Sequence, residues 1–93
     1  MSSSPHSREL TICNKLGLHA RAAARLVQTA SHFDSVITLR TTKRSVNAKS
    51  MMGILMLAAA QGTELVVEAD GSDAQAALDA IQALVEDRFG EEA

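Results

Sequence analysis

The stretch Asn14-Lys15-Leu16-Gly17-Leu18-His19-Ala20-Arg21-Ala22-Ala23-Ala24-Arg25-Leu26-Val27 decides the fold, because the hydrophobic period changes within it. Before it, Arg8 to Asn14 alternates, with Leu10 and Ile12 on one side and Glu9, Thr11 and Cys13 on the other, which is the period of a strand. After it, Ala23, Leu26, Val27 and Ala30 follow helical spacing and leave Arg21, Arg25 and Gln28 on a more exposed side. Lys15 to Leu18 is the short loop between them, and Gly17 allows a tight approach to the helix. His19 therefore stands at the mouth of a helix, with Arg21 close behind it. The first amides of a helix lack intrahelical partners and, with the macrodipole, favour an anion there. A neutral imidazole in that place can also accept a phosphoryl group covalently and pass it on.

Working outward, Val36 to Arg40 alternates again, Thr41 to Lys43 reads as a turn, and Arg44 to Ala48 is a weaker strand with Val46 inward. Ser50 precedes an apolar run from Met51 to Leu57 that Gln61 and Gly62 stop, which predicts a short helix capped by Ser50. Glu64 to Ala69 places Leu65, Val67 and Ala69 inward, and Asp70-Gly71 supplies a turn. Ser72 and Gln75 have capping-box spacing, Ala74, Ala77, Leu78, Ile81, Leu84 and Val85 form one stripe, and Gly90 is placed to stop the last helix. The order strand, helix, strand, strand, helix, strand, helix (βαββαβα) predicts an α+β domain with helices stacked on an antiparallel sheet. Residues 8–90 are expected to form it, with a mobile, disordered tail at 1–7 and a tail at 91–93.

The chain has 93 residues, 46% apolar and 22% charged, which suits one folded domain. With only Phe33 and Phe89 aromatic, the core must be aliphatic and alanine-rich. No apolar run reaches the ~20 residues of a spanning helix, and the polar, serine-rich start is unlike a secretory signal, so a cytoplasmic location is expected. Residues 1–63 carry eight basic and two acidic side chains, and residues 64–93 carry one basic and nine acidic. The acidic half reads as the solvated outer face of the last helix. Arg21, Arg25, Lys43, Arg44 and Lys49 can offer a positive surface to a phosphoryl group or an acidic partner. A small RNA-binding domain would need a basic balance and stacking aromatics, which are missing, so no nucleic-acid partner is expected.

Cys13 alone excludes an internal disulfide and a thiolate-rich zinc site, and is expected in a strand, partly buried. The histidines, His6, His19 and His32, have no metal-ligand spacing, so no metal or other cofactor is expected. Met56 reads as core. Met51 and Met52, in the first helical turn and placed near His19, read as flexible partner contacts.

Gly17-Leu18-His19-Ala20-Arg21, followed about thirty residues later by Lys49-Ser50-Met51-Met52-Gly53-Ile54, resembles the two signature regions of the HPr family. These are the histidine-containing phosphocarriers of the bacterial phosphotransferase system. The resemblance covers about Arg8 to Phe89. It implies an open-faced sandwich, a four-stranded antiparallel sheet with three helices on one face. It implies that His19 takes a phosphoryl group on Nδ1 from enzyme I, which draws on phosphoenolpyruvate, and that Arg21 steadies it. It implies that a separate HPr kinase/phosphorylase can act on Ser50. Met51, Met52 and Ile54 then match a docking patch, joined by Ala20, Arg25 and Lys49.

Sugar-system members usually carry proline where Ala22 stands, and the run from Asn14 to Ala24 is more similar to the nitrogen-related branch, NPr. The reading is thus a cytoplasmic carrier without a cofactor, a protein substrate more than an enzyme, that is expected to pass the group to an enzyme IIA-type protein and to work as a monomer without a membrane. Any magnesium belongs to enzyme I. The alternative is a non-catalytic regulatory module of the same fold, controlled by phosphorylation of Ser50.

Overall fold

Leu10, Ile12, Ile37, Leu39, Leu65, Val67 and Ala69 are all buried, so the alternation read along each strand points one face of one sheet inward. The structure is a computed structural model that describes residues 6–93. Its strands are β1 (His6–Thr11), β2 (Val36–Arg40), β3 (Ser45–Asn47) and β4 (Glu64–Asp70), and its helices are α1 (Ala20–Ser31), α2 (Met51–Leu57) and α3 (Ala74–Glu86). The sheet has four strands in the order β1-β4-β2-β3, every pair antiparallel. Register places Leu10 opposite Leu65 and Leu39 opposite Val67, so the inward rows coincide across strands.

The buried face is covered by Ala22, Ala23, Leu26 and Ala30 of α1, by Ile54 and Leu57 of α2, and by Ala77, Leu78, Ile81 and Val85 of α3. Each buried Leu, Ile or Val contributes roughly 1.5–3 kcal/mol, while the alanines let helix backbones approach closely. The opposite face is polar apart from Val36 and Val66, with Arg40 of β2 bridging to Glu68 of β4 at 2.6 Å. The α+β sandwich predicted from the sequence is therefore the fold observed.

Several local expectations are corrected. β1 starts at His6, which pairs with Ala69, so the last two residues of the expected 1–7 tail belong to the sheet. Residues 1–5 lie outside the described residues. Beyond Thr11 the chain leaves the β4 ladder, and Ile12 instead exchanges backbone hydrogen bonds with Thr63 (3.0 Å) and Gly62 (2.7 Å). Cys13 is consequently exposed and outside a strand, its thiol donating to the Val85 carbonyl at 3.1 Å.

α2 ends at Ala58 in the left-handed region (φ 49°), before Gln61 and Gly62, which form the turn into β4. Met56 is 55% exposed, not core, because two helical turns bury only the stripe of Ile54 and Leu57. α3 is capped at Asp73, not by a box from Ser72 to Gln75. The Asp73 carboxylate turns away from its own helix and accepts from the Asp34 amide (2.8 Å), the Ser35 amide (3.0 Å) and the Ser35 hydroxyl, stapling α3 to the start of β2. The Ser35 hydroxyl and then the Asp34 amide hold its carboxyl below the usual range.

The expected 91–93 tail has no regular secondary structure but is tied to the domain. After α3 a single 3-10 turn, Arg88–Gly90, carries Arg88 and Phe89 with φ of 55° and 56°, each costing roughly 1–2 kcal/mol. Full burial of the Phe89 ring, roughly 1.5–3 kcal/mol, holds that turn against the core. The chain then folds back, and the Lys15 amide donates to the Ala93 carbonyl at 3.1 Å.

Candidate functional site

The loop before α1 is held from below. Gly17 has φ 68°, and a Cβ there would lie 2.5 Å from the Ala59 carbonyl oxygen, so glycine alone lets the loop rest on the segment after α2. The Leu18 amide donates to that same oxygen at 2.8 Å. Asn14, fully buried, donates from Nδ2 to the Gly17 carbonyl at 2.8 Å. His19 follows as the N-cap of α1 with extended backbone (φ −76°, ψ 179°), and its carbonyl accepts the Ala23 amide at 2.8 Å.

Both ring nitrogens of His19 are engaged. Nδ1 accepts from the Arg21 amide at 3.3 Å, and Nε2 lies 2.6 Å from Glu91 Oε2. A nitrogen facing an N–H must carry a lone pair, and one facing a carboxylate must carry the proton. The geometry thus selects the tautomer with hydrogen on Nε2 and leaves the ring's lone pair on Nδ1. Glu91 is itself fixed, since Oε1 accepts from Asn14 Nδ2 at 3.0 Å. That hydrogen bond holds its carboxyl below the usual range, burial opposes the shift, and the His19 contact and Arg21 charge add to it. The side chains of His19 and Glu91 are 29% and 11% exposed, so the ring stays reachable while the carboxylate is nearly covered.

Ala20 and Arg21, the first two residues of α1, are exposed. Among the described residues the Arg21 guanidinium has no hydrogen-bond or ion-pair partner, and it lines an open groove with Lys15, Arg25, Gly90 and Glu91. Arg25 is less free than its sequence suggests, because its guanidinium donates to the Phe89 carbonyl. Ala22 is fully buried, its side chain part of the core.

Ser50 caps α2, its hydroxyl accepting the Gly53 amide at 3.1 Å. Lys49 Nζ donates to the Phe33 carbonyl just beyond α1 at 2.6 Å, while the far end of α2 leads to Ala59 under Leu18. The two helices are antiparallel, so Ser50, Met51 and Met52 lie about 10 Å of helix away from the His19 end. The expectation that the first turn of α2 adjoins His19 is corrected on that ground. Ile54 is fully buried and is no docking residue. Met51 is half-buried and Met52 is 69% exposed, and Leu55 and Met56 of α2 and Leu16 of the His19 loop are also exposed. Sequence reasoning missed Asn14 and Glu91. Asn14 offered only a polar residue three before the loop's glycine, and Glu91 one carboxylate among many.

A four-stranded sheet backed by three helices, with a histidine capping the first of them, defines the class of small HPr-like proteins. The family described as "PTS HPr component phosphorylation site" matches residues 6–87, and the chain belongs to this family of phosphocarriers of the phosphotransferase system. It is 57% identical over 84 residues to the phosphocarrier protein HPr of Xylella fastidiosa, covering 90% of this chain and 94% of that one. It is 50% identical over 84 residues to the phosphocarrier protein NPr of Shewanella violacea, covering 90% and 92%. The crystal structure of HPr from Thermoanaerobacter tengcongensis superposes with a TM-score of 0.91 at 45% identity, covering 95% of this chain and 99% of that one.

Proposed function

We propose that the chain accepts a phosphoryl group on His19 Nδ1 from phospho-enzyme I, ultimately from phosphoenolpyruvate, and passes it to an enzyme IIA-type protein. The observation that carries this reading is the Nδ1 lone pair at the N-terminus of α1, facing the Arg21 amide, while the Arg21 guanidinium has no partner among the described residues. The Nδ1–P bond forms as the donor's bond to phosphorus breaks, and the reverse exchange discharges the group to the acceptor. Arg21 and the first amides of α1 offset the charge on the phosphoryl oxygens at both stages.

The partners reach this end of the molecule over Leu16, Leu55 and Met56, exposed side chains that keep water from the joint site when covered. No helix among the described residues is long and apolar enough to cross a membrane. A carrier that meets several proteins in turn fits a monomer in the cytoplasm. Relatives named HPr and NPr match over the same length, so the acceptor is proposed as a class and not as one pathway's protein. Ser50 is proposed as a site for HPr kinase/phosphorylase: phosphate there gains the cap amides but sets roughly two negative charges beside exposed Met52.

The test is incubation with enzyme I and labelled phosphoenolpyruvate. Acid-labile label on wild type and none on His19→Ala is the expected result. Equal labelling of both removes the reading, and no label on either favours the non-catalytic module.

A further inference from the structure

Residues 89–93 are built to hold one carboxylate against the imidazole. Phe89 is fully buried, the Arg25 guanidinium holds its carbonyl, and the Lys15 amide holds the Ala93 carbonyl at 3.1 Å. Between these ties Glu91 places Oε2 2.6 Å from His19 Nε2 and Oε1 3.0 Å from Asn14 Nδ2, with Asn14 anchored in the core. The ties from loop and helix flank Glu91 on either side, and its own side chain is held between Asn14 and His19.

We infer that Glu91 is a positioning residue for phosphoryl transfer, keeping the His19 proton on Nε2 and serving as counter-ion to the ring when Nδ1 is phosphorylated. The inference rests on the carrier reading above. When the Nδ1 lone pair forms its bond to phosphorus, a ring that keeps hydrogen on Nε2 becomes an imidazolium. The Glu91 carboxylate lies where that positive charge appears. On onward transfer the electron pair of the P–N bond returns to Nδ1, the ring is neutral again, and hydrogen is still on Nε2. Neither direction requires a proton to leave the site, so acceptance and release are symmetrical. The arrangement does for this ring what a buried carboxylate does for the histidine of a hydrolase triad, which is to fix the tautomer and stabilise the cation.

The test uses the full chain with 15N-labelled histidine, as wild type, Glu91→Ala and Glu91→Gln. Wild-type His19 is expected to show an unprotonated Nδ1 and a protonated Nε2 at neutral pH. Glu91→Ala is expected to mix the tautomers and to take label from enzyme I about tenfold more slowly. Glu91→Gln keeps the shape and removes the charge, so slow transfer is expected for it as well. Wild-type rates in Glu91→Ala overturn the inference, whether or not the tautomer changes, and so does an Nδ1-protonated wild type. Failure of wild type to accept label at all sinks the carrier reading instead, while the tautomer arm still reads Glu91 without enzyme I.

Discussion

Two helices of this molecule begin on a capping side chain, and the two caps do different things. Ser50 enters α2 from extended backbone and its hydroxyl takes the Gly53 amide at 3.1 Å. His19 enters α1 in the same way and its Nδ1 takes the Arg21 amide at 3.3 Å. A hydroxyl committed to its own helix is satisfied locally. An imidazole has a second nitrogen, which reaches Glu91 from the far end of the chain, and so joins the cap to a fixed charge. A helix N-terminus favours anions at both places. Only at His19 is the proton held on a second atom by another residue, and under the proposed function that difference separates a cap from a transfer site.

The comparison is broken most severely through Asn14, which supports the His19 side alone. Asn14→Ala removes hydrogen bonds to Gly17 and Glu91 from a fully buried side chain, and a loss of about 2 kcal/mol in urea unfolding is expected, together with slower labelling. Full stability with normal labelling shows that the support is idle. On the other side, Ser50→Ala is expected to cost about 1 kcal/mol by loss of the cap and to leave labelling of His19 within about twofold. A collapse of labelling there would mean that the two ends are coupled despite the length of α2.

Acid sharpens the same contrast. The carboxyls of Glu91 and Asp73 titrate below their ordinary values in the folded chain, so their contributions to stability are present above the usual carboxylate range. Those contributions are lost as pH falls through the lowered values. Urea midpoints measured from about pH 6 to about pH 3 are expected to fall, and to fall less in Glu91→Gln and Asp73→Asn than in wild type. An unchanged slope in both variants removes the assignment.

How much was legible in the sequence follows the reach of each interaction. β2 was read at its observed bounds, Val36–Arg40, because alternation is a local signal with strong contrast. The cap at Ser50 and the place of His19 at the mouth of α1 were legible for the same reason, each depending on a few neighbouring residues. The faces of α2 were not, since a run of seven residues that is apolar almost all round gives no contrast between Ile54 inside and Met56 outside. The distance from Ser50 to His19 was hidden as well, because it depends on α1 and α2 running antiparallel. Glu91 was read as tail for a physical reason: its place is set by burial of Phe89 and by Asn14, residues that approach it only in the folded chain.

The central claim is that His19 accepts the phosphoryl group on Nδ1 with hydrogen kept on Nε2. It is tested most directly by 31P and 15N magnetic resonance of the chain, 15N-labelled at histidine, after charging with enzyme I and phosphoenolpyruvate. A phosphorus signal coupled to His19 Nδ1, with Nε2 still protonated near neutral pH, is the predicted result. Phosphorus on Nε2, or on any residue other than His19, contradicts it.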